Sequence, residues 1–127
     1  MKHLLALSLT ILALTACQTK PNRPSVPGPS AHAIAVSTLQ NVNANANSCW
    51  LKDKAFKSIG IIPELDTIGT PRILVIPKGK PQALPQLVIT ASGRSAQSFG
   101  PLSQSSLAPR INADVARWAA GGSGCSA

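Results

Sequence analysis

The segment RILVIP at residues 72–77 is the clearest structural signal in the chain, and it decides the fold class. Residues 73–76 are branched and apolar, and Pro77 stops the run, as expected of a buried β-strand. The turn sequence PKGKP at residues 77–81 follows, and QLVITA at residues 86–91 is a second apolar run of similar length. We therefore predict that an antiparallel sheet forms the centre of the fold.

Two further strands are predicted on either side of this pair. Residues 55–62 contain Phe56 and several isoleucines and favour a strand, with a helix over residues 50–59 as the alternative. After the turn SGR at residues 92–94, residues 95–99 are expected to return as a fourth strand.

The last predicted element is a helix. Its apolar residues recur at spacings of four, four and three, which places them on one face, and its charged residues then fall on the exposed side. Ser105 or Ser106 is expected to cap it, Pro109 suits its first turn and Gly121 its end. The buried face consists of Leu107, Ile111, Val115 and Trp118, and the exposed side carries Arg110, Asp114 and Arg117.

These elements predict an α+β fold. It consists of a small antiparallel sheet of three to four strands packed by one C-terminal helix, with Trp118 in the core, and it is closed by a disulfide.

The first seventeen residues have the pattern of an export signal. A short positive start precedes an apolar run over residues 4–14, which suits a secretory leader and is too short to span a bilayer. The run ends in LTAC at residues 14–17, which resembles the lipobox of bacterial lipoproteins. The resemblance implies a signal peptide over residues 1–16 and lipidation of Cys17 after cleavage. An ordinary leader with an accidental cysteine is the alternative.

Gln18 follows the cysteine of the lipobox. In the lipoproteins that this segment resembles, a non-acidic residue at that position permits export to the outer membrane. The resemblance therefore implies a protein held by lipid at the periplasmic face of the outer membrane, with the inner membrane as the alternative.

Residues 17–48 have the composition of a tether. No acid and no aromatic residue occurs between residues 18 and 48, four prolines fall within residues 21–29, and asparagines alternate with small residues over 41–47. We predict a flexible stalk over residues 17–48 and a small folded domain over residues 49–127. A short strand or helical turn at residues 33–39 and an edge strand at residues 41–47 are alternatives.

Cys49 and Cys125 bracket the predicted elements of the domain. With Cys17 assigned to lipid and an oxidising compartment implied, we predict that they form a disulfide. Closing this loop destabilises the unfolded chain by roughly 4 kcal/mol. Reactive thiols are the alternative, which is disfavoured because the only histidine outside the leader, His32, lies in the predicted stalk.

The folded part also resembles small envelope lipoproteins of Gram-negative bacteria. That group has no established activity, so the resemblance implies location and fold only. The residues that carry it are Cys49-Trp50, Pro71-Arg72, Phe99-Gly100-Pro101-Leu102, Arg110-Ile111, Asp114-Val115 and Arg117-Trp118.

The chain is strongly basic, with twelve lysines and arginines against four acids and a formal net charge of +8. Such a balance favours an anionic partner, although a solvated surface that maintains solubility is an equally simple interpretation. Nucleic acid is disfavoured by the compartment and by the lack of interleaved aromatic residues. The expected partners are the membrane, through Cys17, and an anionic envelope polymer, lipid or envelope protein. The candidate anion-binding residues are Lys52, Lys54, Lys57, Lys78 and Lys80.

The sequence offers little for catalysis. A Ser–His or Cys–His site lacks a well-placed histidine, no metal or cofactor motif is present, and the glycine motifs that hold phosphates are missing. Glu64 with Asp66 is a weak alternative for Ca²⁺, and Glu64 with Asp114 is an alternative carboxylate pair for hydrolysis of envelope glycans. We therefore expect a non-catalytic binding or structural domain without a cofactor.

Overall fold

The computed structural model describes residues 24–66 and 68–126. Over these residues the chain forms two helices, one sheet and three short 3₁₀ turns. The predicted leader and the predicted lipidation site at Cys17 lie outside the described residues. In chain order the elements are α1 (Ala31–Cys49), 3₁₀ turns at Trp50–Lys52 and Lys54–Phe56, β1 (Ile59–Glu64), β2 (Arg72–Pro77), β3 (Leu87–Ser92), β4 (Ser95–Phe99), a 3₁₀ turn at Pro101–Gln104 and α2 (Ala108–Ala119).

The four strands form an antiparallel meander in the order β1-β2-β3-β4. Ile61 pairs with Val75 and Val75 with Leu87, so these side chains share one face of the sheet. That face packs against both helices and forms the core. The α+β class, the antiparallel sheet and the C-terminal helix packed on it are confirmed.

Strand β1 begins later than predicted, at Ile59 and not at residue 55. Residues 54–56 form a 3₁₀ turn because Phe56 turns into the core and stacks on Trp50, with 5.1 Å between ring centroids. The alternative of a regular helix over residues 50–59 is also wrong, because two separate turns replace it.

Helix α1 corrects the predicted stalk. Residues 31–48, assigned to a flexible tether, belong to a helix of 19 residues that packs in the core. Its buried face follows spacings of four, three, four and three and is made of Ala35, Leu39, Val42, Ala46 and Cys49. The pattern is inconspicuous in sequence because most of these side chains are small, and small side chains let the helix approach its neighbours closely.

The asparagines of α1 are compatible with a helix because their side chains bond to its own backbone. The Asn45 amide donates to the Asn41 carbonyl at 2.9 Å, and the Asn47 amide to the Asn43 carbonyl at 2.8 Å. Ser30 caps the start, accepting from the Ala33 N–H at 3.1 Å. The Asn41 amide also donates to the Trp118 carbonyl at 2.7 Å, which joins α1 to the end of α2.

Helix α2 ends as predicted, at a glycine. Gly121 has φ of 94°, and the N–H groups of Gly121 and Gly122 donate to the Trp118 and Arg117 carbonyls at 3.1 and 2.9 Å. This is a Schellman motif, which favours glycine at the left-handed position. The predicted serine cap differs in place: Ser105 accepts from the Leu107 N–H at 3.2 Å, one turn before the helix begins.

The predicted disulfide is confirmed. Cys49, the last residue of α1, is bonded to Cys125, with 5.3 Å between their Cα atoms. The bond fixes the C-terminal tail to the long helix. Within the described part of the chain, neither helix is long and apolar enough to cross a bilayer.

Candidate anionic-ligand site

Three of the predicted lysines lie where the chain leaves α1. The two 3₁₀ turns over residues 50–56 are anchored by Trp50 and Phe56, which are buried and stacked. Between and after these anchors, Lys52, Lys54 and Lys57 remain exposed. The alternation of buried aromatic and exposed cation therefore concentrates positive charge at the C-terminal end of α1.

The turn after β2 brings Lys78 to the same place. The Lys78 N–H donates to the Ser58 carbonyl at 2.9 Å, which joins this turn to the start of β1. Gly79 has φ of 75°, a conformation that side chains disfavour and that lets the chain reverse between Lys78 and Lys80. We call the C-terminal end of α1 with these turns, and the five lysines on them, the lysine end.

Four of the five predicted lysines line one open groove, with a volume of about 410 Å³. Its walls combine lysine side chains with apolar surface, and Gly60 leaves part of the wall as bare backbone. Lys80 lies in the turn beyond and does not line it. The groove, which we call the lysine groove, is lined by Leu51, Lys52, Asp53, Lys54, Phe56, Lys57, Ile59, Gly60 and Lys78.

The only acid in the lysine groove is already engaged. Asp53 accepts from the Ala55 N–H at 2.7 Å and lies 2.7 Å from the Arg110 guanidinium. The hydrogen bond from the Ala55 N–H, and to a smaller extent the contact with Arg110, lowers the pKa of Asp53 below its ordinary value. Arg110 also stacks on Phe56, 5.2 Å from the ring centroid, which holds it behind the groove.

The lysines themselves have no acidic partner in the part of the chain that the structure describes. Among residues 24–66 and 68–126 every salt bridge uses an arginine, and none uses a lysine. Asp53, Glu64 and Asp114 are each paired with arginine, which leaves only the exposed Asp66 outside such a pair. The groove therefore has positive charge that no salt bridge of the described residues neutralises.

Asp114 corrects a prediction about α2. It was expected on the exposed side of the helix, but its side chain is 0% exposed. The Trp50 Nε1–H donates to Oδ2 at 2.9 Å, and the Arg117 guanidinium and the Ser126 hydroxyl donate to Oδ1, the former at 2.8 Å. Burial raises the pKa of Asp114, but these bonds outweigh it, so the pKa lies below its ordinary value.

The carboxylates do not form the pair that the hydrolase alternative requires. Glu64 lies at the end of β1 and is paired with Arg72, whereas Asp114 is enclosed on α2. No three His, Cys, Asp or Glu side chains gather into a metal-binding group in the part of the chain that the structure describes.

A second pocket, with a volume of about 520 Å³, is slightly larger than the lysine groove and lies between the N-terminal half of α1 and the C-terminal end of α2. Arg94 is its only charged side chain, and the rest of its wall is small, apolar or amide. We favour the lysine groove for an anion because charge rather than volume selects such a ligand.

Sequence reasoning found the lysines but missed two contributors to this site. Leu51 lies between the buried Trp50 and Lys52 and is 45% exposed. Arg110 was expected to face solvent and instead connects Asp53 with Asp114, at 3.8 Å from the latter. The proximity of Asp53 to α2 arises only from tertiary packing, so no local pattern reveals it.

Comparison of the chain with protein-family models, with curated proteins and with solved structures gives no match.

Proposed function

We propose that this protein is a non-catalytic binding module of the bacterial envelope, anchored by lipid on Cys17, whose lysine groove takes an anionic ligand. One observation carries the proposal: four lysines line one groove and have no acidic partner among residues 24–66 and 68–126, while arginines pair with three of the four acids. The groups that fit such a site are phosphates and carboxylates, which accept hydrogen bonds from ammonium groups.

The sequence supports the anchor and the location. The LTAC segment at residues 14–17 supports lipidation, and Gln18 supports the periplasmic face of the outer membrane, with the inner membrane as the alternative. Intact-mass measurement of detergent-extracted protein should reveal acyl chains on Cys17. Unchanged membrane association of a Cys17→Ser variant would contradict the anchor.

The groove is tested with the mature chain from residue 17 carrying Cys17→Ser and an intact disulfide. Inorganic polyphosphate is the probe. We expect binding that weakens steeply as salt rises, because exposed charges are screened beyond about 8 Å at physiological ionic strength.

A pair of variants matched in charge locates the site. Lys78→Gln and Arg94→Gln each remove one positive charge from an exposed turn next to the sheet, but only Lys78 lines the lysine groove. Lys78→Gln should weaken binding to polyphosphate several times more than Arg94→Gln. Equal effects would indicate a response to net charge alone and would contradict a defined site.

The non-catalytic part of the proposal has its own test. The same chain is incubated with purified peptidoglycan, and released fragments are measured. We expect none. Turnover that Glu64→Gln abolishes would overturn this part of the proposal.

A further inference from the structure

Large apolar side chains are exposed at the lysine end. Leu51 in the first 3₁₀ turn is 45% exposed, and Leu84 in the connection between β2 and β3 is 88% exposed. Phe99 at the end of β4 is 47% exposed. That connection starts with Lys78 and Lys80, so each of the two segments carries one exposed leucine together with lysines.

The outer face of the sheet continues this apolar surface. By register, Ile62 pairs with Leu74, Leu74 with Val88 and Val88 with Phe99, which forms a row across all four strands. The row lies on the face opposite the core, and both helices pack on the core side. Ile62, Leu74 and Val88 are only partly buried.

Gly60 joins the row to the lysine groove. A Cβ atom at Gly60 would lie 3.6 Å from Ile76 Cγ1 and 3.9 Å from the Lys78 Cα. Gly60 lines the groove and pairs with Ile76, next to the row. The lysines and the apolar row are therefore parts of one continuous surface.

The other end of the domain has a different character. There β1 ends at Glu64, paired with Arg72, and Asp66 and Arg94 lie on the adjoining turns. All five lysines of the described residues are at the lysine end. The domain is thus cationic at the lysine end, which exposes Leu51 and Leu84, and of mixed charge at the end where α1 begins, which exposes Ile68. By register the apolar row lies between the two ends, with Leu74 between Arg72 and Ile76 on the same face of β2.

We propose that the lysine end and the adjoining apolar row dock on an anionic lipid bilayer. This inference rests on the proposed function and names its partner. Lysines next to an anionic surface contribute about fivefold each in affinity, and apolar side chains gain by entering the boundary between headgroups and acyl chains. A soluble polyanion would use the lysines alone and would leave Leu51, Leu84 and Phe99 in water.

The length of the chain before α1 allows this docking on the membrane that holds Cys17. Residues 17–30 can extend to about 45 Å, and α1 is about 28 Å long. The lysine end, at the far end of α1, can therefore turn back to the anchoring bilayer.

The test uses the mature chain from residue 17 with Cys17→Ser, so that the anchor does not itself cause binding. Flotation is measured with vesicles of phosphatidylcholine alone and of phosphatidylcholine with phosphatidylglycerol. We expect binding only to the anionic vesicles. Lys57→Gln and Lys78→Gln should each weaken it about fivefold, and Leu84→Ser about tenfold.

Matched controls lie at the opposite end of the domain. Ile68 is fully exposed, like Leu84, but lies between β1 and β2, away from the lysines. Ile68→Ser and Arg94→Gln should leave flotation unchanged. Circular dichroism of each variant verifies that the fold is retained.

The outcomes separate this inference from the proposed function. Salt-dependent binding of polyphosphate without flotation, or flotation that Leu84→Ser leaves unchanged, would overturn docking on a bilayer and retain a site for soluble anions. Binding to neither polyphosphate nor anionic vesicles would overturn both.

Discussion

Two charged regions of this small domain contrast sharply. In the first, which we call the tail clasp, each charge is buried or paired and the C-terminal tail is held at several points. In the second, the lysine end, the lysines are exposed and have no acidic partner among the residues that the structure describes. The tail clasp consists of Trp50, Asp114, Arg117, Trp118, the Cys49–Cys125 disulfide and residues 124–126.

Several hydrogen bonds hold the short C-terminal segment of the tail clasp. The Gly124 carbonyl accepts from Trp118 Nε1 at 2.9 Å and from Arg117 at 3.0 Å, and the Gly124 N–H donates to the Asn45 side chain at 3.1 Å. The Trp50–Asp114 bond of the clasp is buried, so removing Asp114 leaves a buried donor unpaired, which is costly, whereas the bonds to Gly124 are more exposed. Arginine and aspartate therefore hold this part of the fold together, while the lysines form no salt bridge among the described residues.

Removing the disulfide of the tail clasp should have the largest effect on stability. The double variant Cys49→Ala with Cys125→Ala should lower the free energy of unfolding by about 4 kcal/mol, because a separation of 76 residues is no longer closed in the unfolded chain. Urea unfolding monitored by tryptophan fluorescence measures it. A loss below about 1 kcal/mol would show that the remaining contacts of the tail clasp suffice.

Asp114→Ala should have the next largest effect. It leaves Trp50 Nε1 without its acceptor and removes the buried partner of Arg117, so we expect a loss of about 3 kcal/mol in unfolding free energy. Glu64→Ala is the control, because the exposed Glu64–Arg72 pair should contribute no more than about 1 kcal/mol. Equal losses in the two variants would contradict the contrast between buried and exposed charge.

Acid should weaken the tail clasp more gradually. The folded pKa of Asp114 lies below the unfolded value of about 3.9, so its stabilisation is complete above that pH and is lost as pH falls through the folded pKa. The urea concentration at the midpoint of unfolding should therefore decrease as the pH falls below about 4. Asp114→Asn should flatten this decline, although Asp53, whose pKa is also lowered, will retain a part of it. If the urea midpoint of Asp114→Asn declined with pH as steeply as that of the unsubstituted protein, groups other than Asp114 would cause the acid sensitivity.

The smallest expected effect on stability comes from the lysine end. Replacing Lys52, Lys54, Lys57, Lys78 and Lys80 by Gln together should change the unfolding free energy by less than about 1 kcal/mol, because none holds a salt bridge within the described residues. Relief of repulsion between like charges favours a slight gain. Polyphosphate binding should be lost in the same variant. A large loss of stability would mean that the lysines serve the fold.

The sequence predicted the sheet and the C-terminal helix because both have strong local signals. RILVIP at residues 72–77 has the length and branching of a buried strand, and Leu107, Ile111, Val115 and Trp118 have helical spacing. It did not predict α1, because asparagine and alanine are weak indicators of a core element and the prolines before residue 30 suggested a tether. The spacing of Leu39, Val42, Ala46 and Cys49 was the available signal.

What the sequence by itself determined about this protein is its class, its sheet, its C-terminal helix and the pairing of Cys49 with Cys125. It also identified the lysines, because charged side chains remain at the surface however the elements pack, but only the fold brought four of them to one groove. Only the tertiary structure decided that Asp114 turns inward to Trp50 and that Arg110 engages Asp53, because these partners are 64 and 57 residues apart. Local periodicity records which face of a helix is apolar, but it does not record which buried donor a carboxylate will meet.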